Sequence, residues 1–221
     1  MNNARLRQQI DAASAYEDLF VPALFEQWTS RIAESAGVGP GQRVLDVACG
    51  TGVLSREVAR RVGDDGHAAG LDLLPGMLEV ARRFAPDIEW RQGSAEALPY
   101  PDESFDAVVS QFGMMFFPDP GKALREMLRV LMPGGRFAIA VWAAINAMPA
   151  YAEEVALLER MAGGAPPTRC AHRSRSARAQ DYTRSRVRPA PVTSPSKPVP
   201  AWRIFRASGR LSRPTCGAGF Q

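Results

Sequence analysis

Long apolar runs, histidine and cysteine are scarce in this chain of 221 residues, and each scarcity argues against a class of protein. No segment approaches the about 18 to 20 apolar residues of a membrane span, and the first residues lack the apolar core of a signal peptide. The three cysteines have neither metal-ligand spacing nor an even count, so we predict no metal site and no disulfide framework. These absences predict a cytoplasmic protein with reduced thiols.

Acidic residues are almost missing from the last quarter of the chain. Residues 166–221 hold 12 Lys+Arg, one acid and 8 of the 18 prolines, which gives a net charge of +11. Residues 1–165 carry 15 basic and 22 acidic residues, a net charge of −7. This composition predicts a disordered, low-complexity Arg/Pro/Ser-rich tail over 166–221.

The rest of the chain alternates short apolar runs with helical patterns. Four strands are predicted in "RVLDVA", "HAAGLDL", "IEWRQG" and "FDAVVSQFG", and a fifth in "GRFAIAVWA". Helices of about 10 to 12 residues lie between them, which is typical of a parallel sheet covered on both faces. We predict an α/β fold with a doubly wound, mostly parallel sheet over residues 39–165, an N-terminal helical cap over 1–38 and one more helix over 149–162.

That N-terminal cap is predicted from "AYEDLFVPALFEQWTSRIAESA". Its apolar positions recur with the period of a helix, which favours a single apolar face. The residues available for that face are Leu19, Ala23, Phe25, Ile32 and Ala33.

The stretch "RVLDVACGTGVLSREVARRV" joins a strand to a helix through a turn with two glycines. Gly50 and Gly52 allow a tight turn whose backbone can lie against a ligand, and the following helix adds free N–H groups. About 20 residues on, Asp72 ends the next strand, where a carboxylate can accept hydrogen bonds from both hydroxyls of a ribose. The pattern therefore predicts a cofactor that contains a nucleoside.

Dinucleotides and nucleoside triphosphates fit this turn poorly. The third glycine of the dinucleotide pattern is replaced by Ser55, and no Gly-Lys-Ser/Thr follows the turn. Asp46, before the glycines, would repel a pyrophosphate but suits a cation such as an amino-acid ammonium. A helix N-cap role for Asp72 stays open as a purely structural alternative.

Four stretches taken together resemble a known family. "VLDVACGTG", "GLDLLPGML", "GSAEALPYPDESFDAVVSQFGMMFFPD" and "VLMPGGRFAIAVW" look like the successive motifs of class I S-adenosylmethionine-dependent methyltransferases, in particular the group resembling ubiquinone and menaquinone biosynthesis methyltransferases. The resemblance covers roughly residues 40–145. Two departures are Ala48, where the family's loop often has a glycine, and Ser94, where many relatives have an aspartate near the adenine.

The resemblance implies S-adenosyl-L-methionine as cofactor and assigns residues to its parts. Asp46 and the turn backbone would hold the methionine portion, Asp72 the ribose, and Gln111 would face the methionine end and the incoming substrate. Leu73 and Met77 would pack on the adenine, with Ala95 offering a backbone N–H to its edge. The implied cofactor-binding residues are Asp46, Ala48, Gly50, Gly52, Asp72, Leu73, Met77, Ser94, Ala95 and Gln111.

Apolar residues supply a candidate acceptor pocket, although simple hydrophobic packing explains each of them equally well. These are Tyr16, Phe20, Phe112, Met115 and Phe116. No histidine is well placed to act as a base, so we assign no catalytic residue. Methyl transfer to a small-molecule acceptor on carbon, nitrogen or oxygen is the leading hypothesis. A binding-only or catalytically impaired relative and a nucleic-acid binder that uses the basic tail are the alternatives.

Members of this family usually finish their sheet with two further strands, the last antiparallel beside the fifth. The prolines between residues 168 and 200 argue against strands there, so we expect both strands to be missing and the fifth strand to form an open edge. A reading-frame shift in the coding sequence explains such a tail, and a genuine disordered tail on a shortened domain is the alternative.

Overall fold

The computed structural model describes residues 3–142 in full and residues 202–208 as a backbone strand. The helix predicted over 149–162 and the remainder of the predicted tail lie outside the described residues. Within the described part, no helix is long and apolar enough to cross a membrane.

Six strands form one sheet in the order β3-β2-β1-β4-β5-β6. Strands β1 to β5 are mutually parallel, and β6 runs antiparallel to β5. The strands are β1 (Arg43–Val47), β2 (His67–Asp72), β3 (Glu89–Gln92), β4 (Phe105–Gln111), β5 (Leu131–Trp142) and β6 (Trp202–Ser208). The strand order reverses between β1 and β4, and in such sheets ligands bind beyond the carboxyl ends of the strands at that reversal. The predicted doubly wound, mostly parallel sheet is confirmed.

The helices follow the strands as the sequence pattern indicated. They are α1 (Asn3–Ala15), a π-helical segment (Tyr16–Phe25), α2 (Glu26–Ser35), α3 (Val53–Val62), α4 (Pro75–Phe84), a short 3-10 turn (Met114–Phe116) and α5 (Pro120–Val130). Local chemistry sets several ends: Asp119 caps α5 by accepting the Lys122 N–H at 2.9 Å, and Gly63 ends α3 at φ 67°.

Both faces of the sheet are buried along the central strands β1 and β4. Val44 on β1 faces a layer that includes Ile32 of α2 and Leu54 of α3, whereas the next residue, Leu45, faces a layer that includes Met127 of α5. Burial of one such side chain contributes about 1.5 to 3 kcal/mol. The two layers hold the carboxyl ends of β1 and β4 side by side.

The expectation of a single apolar face along the N-terminal helix is wrong for the first half of that segment. Ile32 and Ala33 are buried, but Leu19 and Ala23 are exposed. The reason is that residues Tyr16–Phe25 form a π-helix containing Pro22, and its wider turn rotates these positions away from the places that a regular helix would give them.

The fifth strand also differs from the expectation. It begins at Leu131, which pairs with Phe105 before a register shift at the Gly134-Gly135 turn, where Gly134 has φ 85°. Its outer edge is not open, because β6 pairs with it from Arg136↔Ser208 to Trp142↔Trp202. The proline-rich composition of the tail as a whole hid a proline-free stretch, "WRIFRAS", with aromatic and β-branched residues suited to a strand. The expectation that no strand would lie beside β5 was therefore wrong.

Candidate functional site

The turn after β1 has an unusual backbone. Ala48, Gly50 and Gly52 have φ values of 59°, 57° and 86°, all in the left-handed region. Glycine adopts this region freely, whereas alanine pays a steric cost of about 1 to 2 kcal/mol. The Gly52 N–H donates to the Cys49 carbonyl at 2.9 Å, which closes the turn before α3 begins. The predicted tight turn is therefore present, with one strained residue in it.

Asp72 lies across this turn, at the end of β2. One carboxylate oxygen accepts the Gly50 N–H and the other accepts the Leu74 N–H, each at 2.9 Å. The residue is only 8% exposed, and burial raises the pKa of its carboxyl. The bond to Leu74 forms an Asx turn ahead of α4 and does not cap it, because the N-cap of α4 is Leu74, with no side-chain cap. Each carboxylate oxygen can accept more than one hydrogen bond, so Asp72 retains capacity for a ligand.

Asp46 is buried deeper, at 1% exposure, on β1. The Ser55 hydroxyl donates to its Oδ2 at 2.7 Å, while Oδ1 has no hydrogen-bond partner among the described residues. The pKa of Asp46 is raised to about 7, chiefly by burial and also by the negative charge of Asp72, while the hydrogen bond from Ser55 lowers it. A cation placed beside such a buried carboxylate strongly stabilises its ionised form.

Further polar atoms around the ends of β1 and β4 are buried and also lack a hydrogen-bond partner within the described residues. They are Glu17 Oε2, Thr51 Oγ1, Ser110 Oγ and Gln111 Oε1. Buried polar atoms are normally hydrogen-bonded, and a group of unpaired ones calls for an explanation such as an absent ligand or water. Because Glu17, Asp46 and Gln111 offer acceptor oxygens, the missing partner should be rich in donors.

Sequence reasoning missed the link between the N-terminal segment and this turn. Glu17, in the π-helical segment, forms an ion pair of 2.6 Å with Arg56 on α3. Arg56 also donates to the Thr51 carbonyl at 2.9 Å and lies over the Phe84 ring. The partners are 39 residues apart, so no local pattern joins them, and the available signal was a pair of adjacent acids, Glu17 and Asp18, inside an otherwise apolar segment.

Aromatic rings form a continuous series of contacts from the N-terminal segment to β5. Ring centroids are 5.2 Å apart for Tyr16 and Phe25, 5.9 Å for Phe25 and Phe112, and 4.3 Å for Phe112 and Trp142. Phe20 continues the series, 6.1 Å from Tyr16. We call these five rings the aromatic wall. The Tyr16 phenol has its pKa raised by burial first and then by the negative charges of Glu17, Asp72 and Asp46, as expected for a residue beside the carboxylates.

Gln111 connects this wall to the strand ends. Its Nε2 donates to the Phe25 carbonyl at 2.9 Å, across 86 residues of chain, and this bond fixes the amide. The position of Gln111 at the end of β4, beside the turn after β1, agrees with the place expected from the sequence.

The remaining predicted residues follow the ends of β2, β3 and β4 in the chain. Leu73 is 62% exposed and Met77 half-buried, just after Asp72. The Ser94 hydroxyl oxygen accepts the Glu96 N–H at 3.1 Å, and Ala95 is buried in the layer that contains Met127. Met115 packs against the α2 and α3 layer, whereas Phe116 is 79% exposed.

Comparison with known proteins agrees with this geometry. Residues 45–139 match the family model described as a methyltransferase domain. A demethylmenaquinone methyltransferase of Renibacterium salmoninarum is 43% identical over 133 residues, which cover 59% of this chain and 55% of the relative. The chain thus spans about half the length of that curated relative.

Two solved structures have folds similar to that of this chain. A SAM-dependent methyltransferase from Aquifex aeolicus is 25% identical, with a TM-score of 0.54, over 59% of this chain and 72% of that one. A structure from Methanococcus maripaludis is 19% identical with a TM-score of 0.62 over 94% of both chains, and this likeness concerns the fold alone.

The strand order and the comparisons together indicate the type of fold and the family to which this chain is similar. The order and directions of the strands are those of the Rossmann-like fold of methyltransferases. Residues 45–139 of this chain are similar to the methyltransferase domain family.

Proposed function

We propose that this protein binds S-adenosyl-L-methionine and transfers its methyl group to a small aromatic acceptor that carries a hydroxyl group. The observation that carries the proposal is the group of buried oxygens around the ends of β1 and β4 that have no partner among the described residues, above all Asp46 Oδ1. The cofactor offers the donors that such a group requires: an ammonium, two ribose hydroxyls and an adenine amino group.

The residues present fit the parts of this cofactor. Asp46, buried and short of one partner, suits the ammonium, and Asp72 has lone pairs left for the ribose hydroxyls. Ala48, Gly50 and Gly52 allow close approach of the turn backbone to the methionine portion. Leu73 and Met77 give the adenine an apolar surface, and Ser94 and Ala95 lie at its expected edge.

When bound, the cofactor supplies a methyl group on a sulfonium, which is activated for attack by a nucleophile. The residues of the chain then have to orient the acceptor and exclude water. The aromatic wall would give the planar ring of the acceptor an apolar surface close to Gln111, and Met115 and Phe116 would border that surface. We nominate no catalytic base, since no titratable side chain among the residues placed here has a proton-accepting role that the contacts support.

The Gln111 amide narrows the class of acceptor. Because its Nε2 is held by the Phe25 carbonyl, its Oε1 is fixed as a buried hydrogen-bond acceptor. A hydroxyl group on the acceptor ring would satisfy it, and a ring without that hydroxyl would leave it unpaired at a cost of about 1 to 3 kcal/mol. The relative named as a demethylmenaquinone methyltransferase supports a quinone-type ring as acceptor, and the reduced form of such a ring carries the hydroxyl group that Gln111 Oε1 would accept from.

The domain limits expected from the sequence form part of the proposal. Residues 1–38 would act as a cap that carries Tyr16, Glu17 and Phe20 over the site, and residues 39–165 would form the cofactor-binding domain. Residues 166–221 would not serve as a nucleic-acid-binding arm, and their segment 202–208 contributes β6 to the sheet of that domain.

A transfer assay tests the proposal. The protein is incubated with cofactor labelled in its methyl group and either 1,4-dihydroxynaphthalene or naphthalene. We expect label in the hydroxylated ring and none in naphthalene. Equal labelling of both would remove the role of the hydroxyl, and labelling of neither, despite cofactor binding, would overturn the proposed acceptor.

A further inference from the structure

Trp90 lies beneath the glycine turn without being part of it. It sits on β3, in register with Gly70 of β2, and its indole ring is half-buried. The ring fills the space that a side chain at Gly70 would occupy, and the same ring also blocks the position of a side chain at Gly52. One aromatic ring therefore packs under both a strand of the sheet and the last glycine of the turn.

The ring has a fixed orientation. Its Nε1–H donates to the Ala85 carbonyl at the end of α4, at 2.8 Å. The six-membered ring points toward Gly52, with Cζ2 and Cζ3 each 3.2 Å from the place of a Cβ there. A half-buried tryptophan that is bonded at one end and packed at the other has little rotational freedom.

Gly52 is the residue through which this contact reaches the site. It is the N-cap of α3, with φ 86°, and its N–H closes the turn onto Cys49. Gly50, two residues earlier, donates to Asp72. A shift of Gly52 would therefore move both the backbone of the turn and the carboxylate bonded to it.

We infer that Trp90 is a positioning residue that holds the glycine turn in its cofactor-binding shape, an inference that rests on the proposed function. The ring makes this contribution from the sheet side, through Gly52 and Gly70, and needs no contact with the cofactor. Without the ring, the turn must be ordered when the cofactor binds, and that ordering costs affinity.

The test compares Trp90→Ala and Trp90→Phe with Met127→Ala. Met127 is fully buried in the other layer of the fold, on α5, so its variant controls for a general loss of stability. In calorimetry with S-adenosylhomocysteine, the Kd of Trp90→Ala should be about tenfold higher than that of the unchanged protein, and the Kd of Trp90→Phe should rise less. Met127→Ala should keep the unchanged Kd even though its Tm falls by a similar amount. At saturating cofactor, kcat should be nearly that of the unchanged protein, since the effect falls on KM for the cofactor.

Hydrogen exchange of the unliganded protein provides a second readout that does not require the cofactor. Amides of the turn peptide that spans Ala48 to Val53 should exchange faster in both Trp90 variants but not in Met127→Ala. If the unchanged protein fails to bind S-adenosylhomocysteine, the proposed function falls and the exchange of the turn alone decides the inference. Unchanged turn exchange, or equal effects of the Trp90 and Met127 substitutions, would overturn the role of Trp90.

Discussion

The Cβ of Ala48 occupies the space that a side chain at residue 113 would need. A Cβ built on Gly113 lies 2.6 Å from the Ala48 Cβ and 3.3 Å from Ser110 Oγ, whereas Gly113 itself has an ordinary φ of −87°. Two adjacent strand ends, those of β1 and β4, are thus fitted to each other through one methyl group. The glycine at 113 is required by the alanine at 48 and not by its own backbone.

This relationship predicts strong coupling between two substitutions. Gly113→Ala should lower the free energy of unfolding by about 1 to 3 kcal/mol, because the new methyl group overpacks against Ala48. Ala48→Gly should raise it by about 0.5 to 1 kcal/mol, because the left-handed residue loses its steric strain. The double variant should recover most of the Gly113→Ala loss in urea unfolding. Additivity within about 0.5 kcal/mol would show that the two sites do not compete for space.

The role of Asp72 in binding can be separated from its role in folding. Asp72→Ala should weaken the binding of S-adenosylhomocysteine by about 1 to 3 kcal/mol, as expected for the loss of hydrogen bonds to a buried carboxylate. The matched control is Asp106→Ala, because Asp106 accepts the Arg43 N–H at 2.8 Å at the opposite end of the same sheet. Calorimetry should show normal affinity in the control. Equal weakening in both would mean that Asp72 acts only through stability.

The buried carboxylates give the unliganded protein a defined pH dependence. The pKa of Asp46 is raised to about 7 by burial, and that of Asp72 is raised as well. The folded state therefore holds more protons than the unfolded state between about pH 4 and 7, so these groups make the free energy of unfolding fall as pH rises through that window. Asp46 should account for about 1 to 3 kcal/mol of the decrease in the free energy of unfolding between about pH 5 and 8. Urea unfolding of Asp46→Asn at these two pH values should show that this part of the decrease is gone.

The same carboxylate should link cofactor binding to protons. A cation beside Asp46 favours the ionised form, so binding at about pH 6 should release a proton, and Asp46→Asn should abolish this release. The measurement is calorimetry in two buffers with different ionisation enthalpies. Identical proton release in the variant, or parallel stability curves in the preceding experiment, would show that Asp46 does not titrate in this range.

Phe116 provides a test of the acceptor side that does not disturb the core. Its ring is 79% exposed, so Phe116→Ala should leave Tm and cofactor Kd unchanged while it raises KM for a hydroxylated naphthalene about three- to tenfold, an effect of lost apolar contact. Met132→Ala, at another exposed apolar residue near the start of β5, is the control. An equal rise in KM in both variants, or a weakened cofactor affinity, would contradict a place for Phe116 at the acceptor pocket.

Patterns within short stretches of the sequence predicted most of the strands, helices and turns of the sheet domain. Helices α3 and α4 lie between the strands where helices of about 10 to 12 residues were predicted, because glycine, proline and the apolar period mark both helices within the sequence itself. The turn between Val47 and Val53 was predicted for the same reason, since only a few residue types accept its backbone. These features depend on neighbours in the chain.

Contacts between distant parts of the chain could not be predicted in this way. The Glu17–Arg56 ion pair and the Gln111 bond to the Phe25 carbonyl each join segments dozens of residues apart. Trp90 reads as an ordinary strand residue, and its place under Gly52 depends on the order of the strands. Strand β6 was missed because composition averaged over 166–221 concealed seven residues with strand character.

The most direct test of the account is calorimetric titration of the unchanged protein with S-adenosylhomocysteine and, separately, with NADH. We expect saturable one-to-one binding of S-adenosylhomocysteine that S-adenosyl-L-methionine displaces, and no heat from NADH beyond dilution. Tight binding of NADH with none of either methionine-derived ligand would contradict the account, because the buried acceptor oxygens around the turn would then serve a different cofactor.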